Sequence, residues 1–150
     1  MADKNYDDLR LDNQLCFPLY ALSKEVIKQY RPYLDEINLT YTQYIAMMVI
    51  WEKEKINVKE LGKKLYLDSG TLTPVLKSLE AKGFVTRYRS QEDERLLMVE
   101  ITAEGIALKD KALEIPRKMF SKIDISFNDA VFMHKQLYTL LNQLIDDKQD

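Results

Sequence analysis

The chain has 150 residues, 22 Lys plus Arg against 24 Asp plus Glu, and a formal net charge of −2, so its bulk charge attracts neither nucleic acid nor a membrane surface. The length fits one domain, and 46% hydrophobic with 31% charged residues is ordinary for a folded globular protein. The chain has one cysteine and one histidine, which argues against a disulfide-stapled secreted chain, a metal centre and a cofactor enzyme. It shows no signal-peptide pattern and no apolar run near the roughly 20 residues of a membrane span, which argues against a secreted or a membrane protein. These features predict a cytoplasmic location.

A first helix is predicted from about Asn13 to Arg31, because apolar residues recur at steps of three and four and Pro32 disfavours helical backbone at the residue before it. The stripe consists of Leu15, Leu19, Leu22, Val26 and Tyr30. Residues 33–39 are predicted to form the connector to the next helix.

Three further helices are predicted between residues 40 and 83. Thr40 followed three residues later by Gln43 forms a capping box, behind which an apolar stripe continues. Asn57 begins a short third helix, and Asp68 caps a fourth helix that stops at Gly83. The apolar positions of these helices are Tyr44, Met47, Met48, Trp51, Leu61, Leu65, Leu72, Val75, Leu76 and Leu79.

The apolar period then changes from that of a helix to that of a strand. Residues 84–89 and 96–101 are β-branched or aromatic-rich runs joined by a charged polar turn, which predicts a hairpin. Thr102 caps a fifth helix that reaches Pro116, and Ser126 begins a sixth. The predicted fold class is mainly α (α+β), with a single hairpin among the helices.

Two short helices joined by a tight turn and followed by a hairpin with a charged tip predict a winged helix-turn-helix, whose second helix enters the DNA major groove. Gly70 and Pro74 inside that helix cost helix propensity, so packing or function must offset a local penalty. Its first turn is small and hydroxyl-bearing, which allows close approach to phosphates. The candidate DNA-binding residues on this helix are Ser69, Gly70, Thr71, Thr73, Pro74 and Lys77. The competing interpretation is a plain connecting helix.

Arg87, Arg89, Asp93 and Arg95 are the candidate DNA-binding residues of the hairpin. Residues 57–101 hold eight basic and seven acidic side chains, so the placement of the charges matters more than their sum. Arg87 and Arg89 can flank a duplex backbone, and Arg95 at the tip can enter a narrow minor groove with its guanidinium held by Asp93. The competing interpretation is a solvated loop with compensating charges.

Three stretches of the chain resemble the multiple antibiotic resistance regulator (MarR) family of dimeric winged-helix transcription factors. They are Asp68-Ser-Gly-Thr-Leu-Thr-Pro74, Arg89-Ser-Gln-Glu-Asp-Glu-Arg95 and Ile101-Thr-Ala-Glu-Gly105. The resemblance spans nearly the whole chain and implies a single domain over residues 1–150. It also implies a homodimer on palindromic double-stranded operator DNA, with dimerisation helices at about 5–32 and 103–147 and a DNA-binding region at about 41–101.

A second set of residues is similar to the organic hydroperoxide resistance branch of that family, in the type with one cysteine. These residues are Asn13-Gln-Leu-Cys-Phe17, Tyr20, Tyr30 and Leu39-Thr-Tyr-Thr-Gln43. In that branch a cysteine near the N-terminus senses peroxide, and two tyrosines of the partner subunit hydrogen-bond its thiolate. The matching positions here are Cys16, Tyr30 and Tyr41.

Taken alone, a single cysteine is most often a small buried hydrophobe. Pro18 leaves two local structures open for Cys16. A helix that begins near Phe17 places the thiol at an N-terminal edge, where the helix dipole stabilises a thiolate, whereas a helix that runs from Asn13 is kinked at Pro18 and loses that effect. Tyr20, one turn further on, is a third phenol that can stabilise the thiolate.

The sequence therefore predicts a repressor, not an enzyme, that releases DNA when a peroxide oxidises Cys16. Because the chain has no second thiol, the sulfenic acid is expected to form a mixed disulfide with a low-molecular-weight thiol. One alternative is a repressor released by a small phenolic or aromatic ligand among Tyr20, Tyr30 and Tyr41. A thiol peroxidase and a winged helix that contacts only proteins are the alternatives of other classes.

Overall fold

The computed structural model describes residues 4–146, without the side chain of Asp146. Its helices are α1 (Cys16–Glu36), α2 (Tyr41–Lys53), α3 (Val58–Leu65), α4 (Ser69–Ala81), α5 (Ala103–Ala112), α6 (Ile115–Phe120) and α7 (Phe127–Asp146), and its strands are β1 (Lys55–Asn57), β2 (Val85–Arg89) and β3 (Leu97–Ile101). Two single turns of 3-10 helix, Asp7–Leu9 and Leu11–Asn13, precede α1. The fold is mainly helical, and its compact units divide after Ile115. Among residues 4–146, no helix combines the length and apolar character needed to cross a membrane.

Helix α1 begins at Cys16, so Pro18 lies in its first turn. A proline is tolerated there because the first four amides of a helix have no partner within it. Of the two local structures left open by the sequence, the one with Cys16 at the N-terminal edge is the one observed.

The predicted end of this helix near Arg31 is wrong, because α1 continues through Pro32 to Glu36. Pro32 lacks an amide proton and so gives up one helical hydrogen bond. Leu34, one of the most deeply buried residues of the core, lies in the extra turn, and its burial offsets that loss. The chain leaves the helix at Asn38, where φ is 56°, and the connector is shortened to residues 37–40.

The predicted caps of α2, α3 and α4 are confirmed. The Gln43 amide donates to Thr40 Oγ1 at 3.2 Å while the Thr40 amide donates to Gln43 Oε1 at 3.1 Å, which completes the capping box. Asn57 Oδ1 accepts from the Glu60 amide at 2.8 Å, and Asp68 caps α4 in the same way. These local bonds set where each helix begins.

The predicted hairpin is the antiparallel pair β2–β3, and it is joined by a strand that the sequence did not reveal. The sheet order is β1-β3-β2, in which Ile56 of β1 pairs with Val99 and Arg87 of β2 pairs with the same residue from the other side. A three-residue strand is too short to show a period of two.

The apolar side of α4 is part of the buried core around which the helix-turn-helix is built. Its inward residues Leu72, Leu76 and Leu79 are almost completely buried. Because side chains at three- and four-residue steps share one face of a helix, the residues between them point away from the core. The residues of α4 that are exposed at this outer surface are Ser69, Gly70, Thr71, Pro74 and Lys77.

The predicted fifth helix up to Pro116 is wrong in its end. Helix α5 stops at Ala112, and a separate helix begins at Ile115 with Pro116 as its second residue, where a missing amide proton costs nothing. The predicted cap of the last helix is confirmed, since the Asp129 amide donates to Ser126 Oγ at 3.1 Å. Exposed apolar residues of α7 are Val131, Phe132, Met133, Leu137, Tyr138 and Leu144. Residue 147, where the predicted dimerisation region ends, lies outside the described residues.

Candidate nucleic-acid interface and thiol site

Five of the six candidate DNA-binding residues of α4 are exposed on its outer surface. Thr73, the sixth, is partly buried, and its hydroxyl donates to the Ser69 carbonyl at 2.6 Å. This side-chain hydrogen bond gives the Ser69 carbonyl a partner in the same turn in which Pro74 lacks an amide proton. Gly70 has open space around it apart from Asp68 Oδ1, so the backbone here can approach a phosphate closely.

Arg87 is tied to α4 and is less available to DNA than its position in the hairpin suggests. Its Nη2 lies 3.1 Å from Glu80 Oε1, and its backbone amide donates to Glu80 Oε2 at 2.8 Å. These hydrogen bonds lower the pKa of Glu80. The pair fixes the angle between the wing and the helix, and Glu80 is a residue that the sequence interpretation left unassigned.

Arg95 stands at the tip of the wing, with 89% of its side chain exposed. Its Nε and Nη2 contact the two carboxylate oxygens of Asp93 at 2.9 and 3.1 Å, which is the bidentate geometry that the sequence suggested. The Arg95 hydrogen bonds lower the pKa of Asp93. Arg89 is exposed beside this pair, and its Nη1 donates to the Arg95 carbonyl. The wing therefore presents a preoriented guanidinium.

A buried polar network, found only in the tertiary structure, connects the start of α2 with α4. Gln43 donates through Nε2 to Ser78 Oγ at 2.9 Å, and its Oε1 accepts from Lys82 Nζ at 2.8 Å. Lys82 also donates to the Asn38 carbonyl at 2.7 Å, and burial lowers its pKa. The network holds the α1–α2 turn against the end of α4. The sequence showed Gln43 only as a capping residue.

Cys16 is exposed and is the first residue of α1, the end of a helix at which the amides are unpaired and the dipole is positive. Tyr20, on the next turn, is also exposed. Its hydroxyl accepts from Lys24 Nζ at 3.2 Å and its ring lies 6.5 Å from that of Phe17.

Tyr30 and Tyr41 form an aromatic cluster with Tyr44. The ring centroids of Tyr30 and Tyr41 are 5.1 Å apart, and that of Tyr44 is 5.8 Å from Tyr30. Burial raises the pKa of Tyr30 and of Tyr41, and together with the neighbouring phenols it raises the pKa of Tyr44 to about 12. All three phenols are therefore neutral hydrogen-bond donors at neutral pH.

The structure brings Tyr30 and Tyr41 together but does not bring them to Cys16 of the same chain. Fourteen residues of α1 separate Cys16 from Tyr30, a rise of about 21 Å along the helix axis. Only Tyr20 is within one helical turn of the thiol. No group of three or more His, Cys, Asp or Glu side chains in residues 4–146 is arranged to hold a metal ion.

Comparison with known proteins places this architecture among regulators of transcription. The family described as transcriptional regulator SarA/Rot matches residues 28–112. The organic hydroperoxide resistance transcriptional regulator of Bacillus subtilis (strain 168) is 48% identical over 142 residues, which cover 95% of this chain and 97% of that protein.

Two solved structures are similar over a comparable length. Reduced AbfR bound to DNA has 33% sequence identity and a TM-score of 0.77, and the match covers 92% of this chain and 96% of that one. Overoxidized AbfR bound to DNA has 32% identity and the same TM-score, with coverages of 91% and 96%. AbfR is a protein of Staphylococcus epidermidis.

Proposed function

Because this chain belongs to the SarA/Rot family of MarR-type winged-helix transcriptional regulators, on the organic hydroperoxide resistance branch, we propose that it is a homodimeric repressor whose Cys16 senses peroxide. The observation that carries the proposal is the separation of Cys16 from the Tyr30–Tyr41 pair within one chain, together with the exposure of the thiol at a helix N-terminus. Both features fit a thiolate site that is assembled from two copies of the chain.

The operator-binding surface consists of the outer face of α4 and the wing. Ser69, Thr71 and Lys77 approach the major groove and its phosphates, while Arg95 reaches the neighbouring minor groove. Two copies related by a twofold axis present two such surfaces about 34 Å apart, one helical turn of DNA, so the operator is palindromic. The structure of reduced AbfR bound to DNA supports this surface.

The thiolate site is shared between the two copies. Tyr30 and Tyr41 of one subunit donate hydrogen bonds to the Cys16 thiolate of the other, because Tyr30 lies about 21 Å along α1 from its own Cys16 and Tyr41 packs on Tyr30. The raised pKa values of Tyr30 and Tyr41 suit this role, since only a protonated phenol can donate. Tyr20 belongs to the same chain as the thiol and covers it from one turn away.

The chemistry requires one peroxide and one thiol. The thiolate attacks the distal oxygen of an organic hydroperoxide, the O–O bond breaks, and the products are the Cys16 sulfenic acid and an alcohol, which takes up the proton. A low-molecular-weight thiol then displaces the hydroxyl, which leaves as water, and a mixed disulfide forms. Reduction by further thiol in a reducing cytosol restores Cys16, so the protein can bind its operator again.

DNA release follows from the bulk added at Cys16. A mixed disulfide breaks the contacts with Tyr30 and Tyr41 and pushes the subunits apart, so the two α4 helices no longer match the half-sites. To turn operator occupancy from 99:1 to 1:99, oxidation must change the relative free energies of the two states by about 5.5 kcal/mol. Overoxidized AbfR is found bound to DNA, which favours the added group, not the loss of the thiol, as the releasing event.

A gel shift on a palindromic operator tests the proposal with wild type and Cys16→Ser. Cumene hydroperoxide with a small thiol is expected to release the wild type and to leave the variant bound. Release of Cys16→Ser by peroxide would disprove thiol sensing. Salt-independent or absent binding by the reduced wild type would instead disprove the operator surface.

A further inference from the structure

A cleft of about 440 Å³ lies between the second half of α1 and the first turn of α2. Its rim carries Lys24, Lys28 and Arg31, which lie four and three residues apart and so share one face of the helix. Its floor is apolar, with Leu34 and Leu39. The cleft is therefore a cationic groove with a hydrophobic base.

The residues that line the cleft keep a net positive charge in a single chain. Lys28 Nζ lies 4.0 Å from Glu25 in an exposed pair, a separation at which surface ion pairs contribute little. Lys24 contacts only the neutral hydroxyl and ring of Tyr20 in the interactions that the structure defines. Asp35 is the one carboxylate among the residues that line the cleft.

The segment before α1 has the complementary chemistry. It is folded into two single 3-10 turns that carry Asp7, Asp8 and Asp12. Leu9 is 79% exposed in one chain, and Leu11 and Leu15 are also exposed. Three leucines that are each more than half exposed within residues 7–15 are costly to leave in water, and the carboxylates beside them match the cationic rim.

In a single chain this segment lies outside the cleft, whose lining residues all fall between Lys24 and Thr42. A second copy that brings its Cys16 to Tyr41 also brings this segment to the cleft. Tyr41 is both a wall of the cleft and, in the proposed function, a partner of the other subunit's thiolate. Asp12 precedes Cys16 by four residues and so lies no more than about 14 Å from it.

We propose that residues 7–15 of each copy dock in the cationic cleft of the other copy and thereby deliver Cys16 to Tyr41. The leucines lie on the apolar floor, and the carboxylates pair with the lysines and Arg31 of the rim. The proposal rests on the shared thiolate site of the proposed function, and it adds a specific surface that seats the sensor cysteine.

Carbodiimide coupling of the reduced, full-length dimer tests the contact directly, since this reagent joins a carboxylate to a lysine only when they touch. An equal mixture of unlabelled and ¹⁵N-labelled protein is re-equilibrated, coupled and digested. We expect amide links between the 7–12 segment and Lys24 or Lys28 in peptides that are half labelled. Links confined to one copy, or no links to either lysine, would overturn the proposal and leave the cleft to a small anion.

A charge-reversal experiment tests whether this contact affects the oxidation of Cys16. In Lys24→Glu/Lys28→Glu we expect Cys16 to be oxidised by cumene hydroperoxide at least five-fold more slowly, and in the same chain Asp7→Lys/Asp8→Lys should restore most of the rate, since both copies then carry matched charges. Lys59→Glu/Lys63→Glu on α3 changes the net charge equally and lies outside the predicted dimerisation helices, so it should leave the rate unchanged. No rescue, or an equal loss in the α3 variant, would refute docking. Because Cys16→Ser is scored separately on the operator, a failure here leaves the test of thiol sensing intact.

Discussion

The side-chain amide of Gln43 donates to Ser78 Oγ at 2.9 Å and so joins the first turn of α2 to α4. Gln43 is only 6% exposed, and each polar end of its amide has a partner. Losing such a hydrogen bond in a buried site is costly, because the remaining polar group cannot form a hydrogen bond with water instead. Gln43 thus helps to hold α4 against the first turn of α2, on which Tyr41 lies.

Gln43→Met should therefore destabilise the protein by about 1–3 kcal/mol, since Ser78 and Lys82 lose buried partners while the side-chain volume is kept. Urea unfolding at a fixed dimer concentration measures the change. Gln91→Met, on the exposed wing tip, is the matched control and should fall within about 0.5 kcal/mol of wild type. Equal effects of the two substitutions would show that the network contributes nothing.

The Glu80–Arg87 pair predicts a dependence of stability on acid. The hydrogen bonds from Arg87 lower the pKa of Glu80 in the folded state, so its contribution is present above the ordinary pKa of a glutamate and is lost as pH falls through the folded value. In Glu80→Gln the loss of stability between about pH 5 and pH 3 should be shallower than in wild type. Thermal unfolding across this range measures the change, with Glu94→Gln at the exposed wing tip as control. Identical slopes for wild type and Glu80→Gln would contradict the assignment.

Two glycines should respond oppositely to alanine. A Cβ at Gly105 would collide with the Phe84 carbonyl oxygen and lie 2.8 Å from Ile101 Cγ1, so Gly105→Ala should cost about 1–3 kcal/mol or more. At Gly70 the nearest atom is Asp68 Oδ1 at 3.4 Å, and alanine should be neutral or stabilise α4 by up to about 1 kcal/mol. Denaturation midpoints distinguish them, and a stable Gly105→Ala would mean that α5 can move away from Phe84.

Arg95→Ala should weaken operator binding about ten-fold and reduce the slope of log affinity against log salt by about 1, because one cation no longer meets the duplex. Fluorescence anisotropy at several salt concentrations measures both quantities. Lys4→Ala, outside the wing, α4 and the predicted dimerisation helices, should change neither quantity. If Arg95→Ala binds like wild type at every salt concentration, the wing tip does not touch DNA.

Tyr41→Phe should slow the oxidation of Cys16 by cumene hydroperoxide about ten-fold, since a hydrogen bond to a charged group contributes about 1.5 kcal/mol or more. The ring is retained, so the packing on Tyr30 should persist. Tyr66→Phe, an exposed tyrosine at the end of α3, is the control and should react at the wild-type rate. An unchanged rate in Tyr41→Phe would remove Tyr41 from the thiolate site.

The amino-acid sequence was sufficient for everything that depends on neighbours along the chain. Thr40, Asn57 and Asp68 cap helices because their side chains reach amides two or three residues away, and the alternating pattern of residues 97–101 predicts a strand because its period is local. The resemblance of residues 68–74 and 89–95 to known regulators likewise needs only the order of residues.

Tertiary structure alone decided the features that depend on burial and on distance between elements. Helix α1 passes through Pro32 because Leu34 is buried beyond it, a gain that no local rule registers. Strand β1 exists because β3 offers it an edge, and Gln43 finds Ser78 thirty-five residues away because two helices pack together. The packing of Tyr41 of α2 on Tyr30 of α1 is also a tertiary feature, because it depends on how the two helices meet. It is the reason that the proposed thiolate site needs a second copy, since Tyr30, on which Tyr41 packs, lies far along α1 from the Cys16 of its own chain.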